Sequence, residues 1–247
     1  MVDEVEKRQY LDDITVADLR ALLDKHKHLM VAEHLKTRTP RDFYYSFIQS
    51  QFQSQNAAPA EVHRLLVDLN PRMIITTNYD RLIEDAFAAC KSKAMTVLQY
   101  SNSTVVQRRI QEDTSSAAPF LFKIHGDIDD PDGIILSETD YRRLIFSEPG
   151  YRTLLASLFI HYTVLFIGFS FSDEELSLTL AELRWFLKSA SHPDYILLPD
   201  SDCTSVERSR FRDDYGLEVI TYPKSENHMA VRDFMLELKA CLPKAPM

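Results

Sequence analysis

The first 70 residues carry apolar side chains at helical spacing and contain no run typical of a strand. The spacing predicts one helix over residues 15–35, capped by Thr15. A second helix is predicted from Thr39-Pro40, where a capping residue precedes a proline, and a third after Pro59. The pattern therefore predicts a mainly helical N-terminal part.

Beyond residue 70 the pattern changes to short apolar runs of strand length, separated by segments with helical spacing. The runs lie at residues 73–77, 97–98, 120–124, 163–169, 195–198 and 217–222. The run at 97–98 is the weakest of them. Apolar strands that alternate with helices are typical of a parallel sheet covered on both faces. We therefore expect an α/β fold with a parallel sheet flanked by helices.

One stretch, residues 154–171, is apolar over nearly the length of a membrane span. His161 and Tyr162 interrupt it, and its two halves differ in character. We interpret it as the end of a buried helix followed by a buried strand, and we expect no membrane segment.

Charge and cysteine content limit the functional classes. The chain of 247 residues has 28 Lys and Arg against 37 Asp and Glu, which gives a net charge of −9. Direct nucleic-acid binding needs a basic surface, so we do not expect it. The three cysteines are scattered and form neither a disulfide framework nor a zinc half-site, and the charged N-terminus lacks the apolar core of a signal peptide. These features favour a cytoplasmic protein.

Polar residues follow three of the predicted strands. Asn78-Tyr79-Asp80, His125-Gly126-Asp127 and the segment from Gly168 to Asp173 each come directly after an apolar run. Ligands of open parallel sheets bind at the carboxyl ends of the strands. Three polar clusters at such ends therefore predict one site.

Each cluster also has a structural interpretation. Asn78 and Asp80 could form a turn and cap the next helix. His125 could be a structural histidine, although Gly126 beside it would let a ligand or a second backbone approach. Ser170 and Ser172 could cap a helix, or bind an anion at its N-terminus.

The chain lacks two further ligand motifs. Its five glycines are too far apart to form a GxGxxG or P-loop phosphate cradle. Asp127, Asp129 and Asp130 could suggest a metal site, but Pro131-Asp132-Gly133 marks a solvated turn. We expect no metal.

Three motifs together resemble the sirtuin-like domains of bacterial antiphage defence proteins. They are residues 76–80 (TTNYD), 123–127 (KIHGD) and 166–173 (FIGFSFSD). The resemblance spans roughly residues 15–225. It implies a Rossmann-like sheet with a helical module, with NAD⁺ as substrate and cleavage of the nicotinamide–ribose bond as the activity.

The resemblance also implies roles for the residues that match the motifs. Asn78 would hold the ribose and the reactive water, Asp80 would bind the nicotinamide carboxamide, and His125 would be the catalytic histidine. Contacts with the remainder of NAD⁺ would come from Thr76, Thr77, Gly168, Ser170 and Ser172, where Thr77 replaces the glutamine common in deacylase sirtuins.

We expect a single sirtuin-like domain over residues 1–247: a helical part at 1–70, a sheet core at 71–225 and a C-terminal helix at 226–247. Residues 1–70 have no counterpart of the family's first strand and glycine-rich loop. We therefore expect either a shortened chain or a divergent member. The four-cysteine zinc module of deacylase sirtuins is also missing, which favours NAD⁺ hydrolysis over deacylation.

Three functions stay open at this point. The first is an NAD⁺ glycohydrolase in which His125 acts as base and Asn78 orients water. The second is a degenerate module that binds NAD⁺ or ADP-ribose or serves in assembly, and the third is a protein deacylase. The resemblance also implies a homo-oligomer and a defence partner, either an ATPase or an Argonaute-type protein.

Overall fold

The structure is a computed structural model that describes residues 1–53, 57–111, 118–169, 171, 174–186, 193–224 and 228–242. Its helices are α1 (Val2–Lys7), α2 (Asp13–Asp24), α3 (His28–Arg38), α4 (Arg41–Phe52), α5 (Glu61–Asp68), α6 (Leu82–Lys91), α7 (Ser103–Gln111), α8 (Glu138–Ser147), α9 (Pro149–His161), α10 (Glu174–Phe186), α11 (Ser205–Tyr215) and α12 (Met229–Cys241). Its strands are β1 (Met73–Thr76), β2 (Thr96–Gln99), β3 (Phe120–Lys123), β4 (Leu165–Ile167), β5 (Asp194–Pro199) and β6 (Leu217–Tyr222).

The six strands form two parallel sheets of three strands each. The order is β1-β3-β2 in the first sheet and β4-β5-β6 in the second. Thr76 and Gln99 both align with Lys123, so the three strands of the first sheet end at the same level. The predicted α/β class, with parallel strands and a helical N-terminal part, is confirmed. The division into two sheets does not follow from the sequence pattern.

Helices on both faces join the two sheets. On one face, Val67 of α5 packs with Ile74 of the first sheet, and Leu65 of the same helix packs with Leu197 of the second. On the other face, α9 contributes to the core that contains β3, and its Phe159 stacks on Phe166 of β4 with 6.2 Å between ring centroids. Side-chain packing through α5 and α9 therefore connects the sheets.

The prediction of one helix over residues 15–35 is wrong. The chain forms α2 and α3 instead, separated at His26, whose φ of 58° lies in the left-handed region. The predicted cap is also wrong, because Asp12 caps α2: its Oδ1 accepts a hydrogen bond of 2.8 Å from Thr15 N. An aspartate one turn earlier thus takes the capping position.

The apolar stretch at 154–171 divides as the sequence predicts, into the end of α9 and strand β4. Within the described part of the chain, no helix has the length and apolar character needed to cross a membrane.

Candidate active site

The loop after β1 carries the first predicted cluster. Its start is fixed to β3, because Ile124 N donates to Thr76 O at 3.1 Å. Thr76 Oγ1 accepts a hydrogen bond of 3.0 Å from Asn78 N, which turns the chain and leaves the Asn78 side chain exposed. Asp80 Oδ1 accepts from Leu82 N at 2.9 Å at the start of α6. Asp80 therefore makes the turn that its structural interpretation predicts, while Arg81 is the N-cap residue of α6.

The loop after β3 carries the second cluster. His125 is only 4% exposed, and its ring meets the Tyr141 ring edge to face with 5.2 Å between centroids. Its carbonyl accepts a hydrogen bond of 2.9 Å from Ile135 N. The histidine is therefore held by backbone on one side and by an aromatic ring on the other, away from bulk water.

Gly126 is required by both its conformation and its surroundings. Its φ of +90° is one that side-chain-bearing residues rarely adopt. A Cβ at this position would lie 2.1 Å from Gly133 O. The sequence suggests that a glycine here allows either a ligand or a second backbone to come close. The structure shows the close approach of a second backbone, at Gly133.

The two loops are bound directly to each other. Ile128 N donates to Tyr79 O at 3.1 Å, and Tyr79 Oη donates to Ile135 O at 2.6 Å. Since β1 and β3 are hydrogen-bonded neighbours, their loops share one edge of the first sheet. The structure thus brings Thr76, Asn78 and Asp80 to the strand end that neighbours His125.

A buried charge cluster lies beneath these loops. Lys123 Nζ is 2.7 Å from Glu84 Oε1 and 3.0 Å from Asp127 Oδ2, and the lysine side chain is fully buried. Burial raises the pKa of the Glu84 carboxyl, and Lys123 acts on it in the opposite direction. Neither Lys123 nor Glu84 has a role that the sequence predicts. The available signal was a lysine within the apolar run 120–124.

The acidic residues around 127–132 are largely engaged with basic side chains. Asp127 contacts Lys123, Asp129 Oδ2 pairs with Arg81 at 2.5 Å, and Asp132 pairs with Arg41. These ion pairs tie the loop to its neighbours α4 and α6.

The third cluster lies at the end of β4. Gly168 has a φ of +66°, and the space where a Cβ would point is open to 4 Å. Ser170, Ser172 and Asp173 lie outside the described residues, so their predicted roles stay predictions.

A cavity of about 820 Å³ opens at the carboxyl ends of the second sheet. Its wall combines aromatic, aliphatic and charged side chains and includes Gly168, Phe169, Phe171, Arg210, Tyr222 and His228. Tyr222 Oη lies 2.8 Å from His228 Nδ1. Gly168 is thus the predicted site residue that lines this cavity, while Asn78, Asp80 and His125 lie at the end of the first sheet.

Parallel sheets with polar loops at their carboxyl ends are the architecture of nucleotide-binding α/β proteins. Residues 72–220, which run from β1 to β6, match the family model described as SIR2-like domain. The chain therefore belongs to the SIR2-like domain family.

Relatives with described functions also match parts of this chain. The chain is 31% identical over 144 residues to the NAD(+) hydrolase ThsA of Enterococcus faecium, a match that covers 56% of this chain and 28% of that protein. It is 25% identical over 219 residues to the defense-associated sirtuin 2 of Bacillus subtilis, covering 81% of this chain and 21% of the relative. The ThsA of Bacillus cereus is 28% identical over 138 residues, which cover 56% of this chain and 28% of the relative. The chain thus spans less than a third of the length of these relatives.

Proposed function

We propose that this chain is an NAD⁺ glycohydrolase that cleaves the nicotinamide–ribose bond and acts in bacterial antiphage defence. The observation that carries the proposal is the joining of the loops after β1 and β3, which places Asn78 and Asp80 at the strand end next to His125. The resemblance of these motifs to NAD⁺-hydrolysing domains, and the relatives named as NAD(+) hydrolases, support it.

Cleavage of the nicotinamide–ribose bond depends more on the positioning of substrate and water than on a strong general acid. Cleavage of the glycosidic bond builds positive charge on the ribose, and the cationic nicotinamide leaves as a neutral molecule. In this proposal His125 accepts a proton from water or from a ribose hydroxyl. Its burial would keep competing water away from the reacting carbon.

Asn78 and Asp80 would orient the two sides of the broken bond. The exposed amide of Asn78 would hold the attacking water, and the Asp80 carboxylate would accept a hydrogen bond from the nicotinamide carboxamide. A carboxylate can accept about four hydrogen bonds, so the contact with Leu82 N does not exclude this role.

The cavity at the second sheet would receive the adenosine end of NAD⁺. Its aromatic side chains offer stacking surfaces for a base. Arg210 would have to contact a phosphate beside Asp202 and Glu207 of the same wall, while it also pairs with Asp214. The same cavity favours a second candidate function, a module that binds NAD⁺ or ADP-ribose without cleaving it.

Incubation of the purified chain with NAD⁺, with free nicotinamide quantified by chromatography, tests the proposal. We expect His125→Ala to lower turnover by roughly two to four orders of magnitude, the usual contribution of a general base, with a small change in KM. His125→Gln keeps more of the side-chain volume and should show the same loss. His161→Ala is the matched control, because this histidine is exposed on α9.

Two results would decide against parts of the proposal. A parent protein that binds NAD⁺ in calorimetry but releases no nicotinamide would favour the binding module. His125 variants that cleave NAD⁺ at the parent rate would show that another group is the base.

A further inference from the structure

Lys123 is the last residue of β3, and its side chain is 0% exposed. Four oxygen atoms surround its Nζ. Two are the carboxylate oxygens of Glu84 and Asp127, at 2.7 and 3.0 Å. The other two are the backbone carbonyls of Tyr79 at 3.2 Å and Asp80 at 2.6 Å.

The ammonium therefore contacts three parts of the chain at once. Tyr79 and Asp80 belong to the loop after β1, Glu84 to α6, and Asp127 to the loop after β3. Because an ammonium has three N–H donors and four acceptors surround it, its donors are fully used. Lys123 is also two residues before His125 in the sequence.

A buried cation is a costly way to hold a fold together. Removing a charge from water is unfavourable, and an apolar side chain of similar size is often as stabilising or more so. The contacts with the two carbonyls do something that an apolar side chain could not: they fix the loop backbone by directional hydrogen bonds.

We propose that Lys123 is a positioning residue that sets the placement of the Asn78–Asp80 loop relative to His125. The ammonium holds the carbonyls of the first loop while Asp127, two residues after His125, holds the ammonium from the second. The expected effect of Lys123 on turnover rests on the proposed function. Its expected effect on the position of the Asn78–Asp80 loop rests on the contacts alone.

A second, partly buried ion pair provides the control. Lys36 Nζ is 2.6 Å from Asp140 Oδ1, with the Lys36 side chain 26% and the Asp140 side chain 3% exposed. This pair joins α3 to α8, and the other hydrogen bonds of Asp140 come from Leu136 and Ser137, just before α8, and not from the Asn78–Asp80 loop. Its removal should therefore cost stability without moving the Asn78–Asp80 loop.

The test compares the double variant Lys123→Met/Glu84→Gln with Lys36→Met/Asp140→Asn. Each removes a lysine together with the charge of a carboxylate partner; Lys123 is fully buried and Lys36 is 26% exposed. We expect the Lys123 variant to lower kcat for nicotinamide release by about 10- to 100-fold, since a misplacement of about 1 Å can have that effect. KM for NAD⁺ should change by less than about threefold, and the Lys36 variant should keep the parent kcat.

A second readout does not depend on turnover. In hydrogen–deuterium exchange followed by mass spectrometry, peptides that contain residues 78–82 should exchange faster in the Lys123 variant than in the parent and the control. If the Lys123 variant does not fold, Asp127→Asn keeps the ammonium and weakens its hold on the second loop. It should lower kcat by about three- to tenfold and also accelerate exchange at 78–82.

The two proposals fail in different ways. A parent that releases no nicotinamide contradicts the proposed function, and the exchange measurement then still tests the loop. A folded Lys123 variant with the parent kcat and parent exchange at 78–82 would overturn the positioning role. The same holds if the Lys36 control loses kcat to the same extent.

Discussion

Replacing Gly126 by alanine tests how tightly the two site loops are packed. The change adds a single methyl group at a backbone φ of +90°, and that methyl would lie 2.1 Å from Gly133 O. Gly168→Ala is the matched comparison, since it adds the same methyl at a φ of +66° into open space. The difference between the two variants isolates the steric cost of the close approach.

The structure gives the expected size of the difference. A left-handed backbone conformation costs a side-chain-bearing residue about 1–2 kcal/mol, and both variants incur it. Only Gly126→Ala forces the backbone at Gly133 away, which costs about 1–3 kcal/mol for overpacking. The hydrogen bond between Ile135 N and His125 O lies beside this contact, and its loss adds about 1 kcal/mol. Gly126→Ala should therefore lower the free energy of unfolding by roughly 2–4 kcal/mol more than Gly168→Ala.

Urea unfolding followed by far-ultraviolet circular dichroism measures this difference. Fluorescence is a poorer probe, because the single tryptophan, Trp185, is 69% exposed. With a slope of about 3 kcal/mol per M, the midpoints of the two variants should differ by roughly 1 M. Equal midpoints for Gly126→Ala and Gly168→Ala would refute the argument that Gly126 is required by the neighbouring backbone.

Two further predictions concern buried polar groups. Burial alone would raise the pKa of Asp140, but hydrogen bonds from Lys36 and Ser137 outweigh it and lower that pKa below its usual value. The stability that this pair contributes is therefore present above the ordinary aspartate pKa of about 3.8, and it is lost as the pH falls through the lowered pKa. Urea midpoints should therefore fall more between about pH 5 and about pH 2.5 in the parent than in Asp140→Asn. Among the described residues, the Tyr44 hydroxyl is buried without a hydrogen-bond partner, so Tyr44→Phe should leave the unfolding free energy unchanged or raise it by about 1 kcal/mol in the same assay.

Several elements could be predicted from the sequence because local pattern and tertiary environment agree. Strand β6 occupies residues 217–222 and strand β1 begins at Met73, both as predicted. The sequence pattern alone does not define helix α7, because its segment is polar and only Val106 and Ile110 are buried within it. The break at His26 was missed because nothing in the local spacing of apolar residues indicates a left-handed turn there.

In the site, too, some features follow from the local sequence and others depend on contacts between distant segments. The strand ends that carry Asn78 and His125 follow from counting residues after each apolar run. The burial of Lys123 does not, because its partners Glu84 and Asp127 come from separate segments and meet only after β1, β3 and α6 have packed. The cavity beside Gly168 likewise depends on side chains from α11 and from the ends of β5 and β6.

The division into two sheets has a mechanical consequence. Within the described residues, strand pairing joins β1 only to β3 and β4 only to β5, so the sheets are coupled through the side chains of α5 and α9. Packed helices can slide past a sheet by small shear displacements, which a ladder of hydrogen bonds between β1 and β4 would resist. The loop that holds His125 and the cavity beside Gly168 therefore belong to two sheets whose relative placement is set by side-chain packing and not by a shared strand ladder.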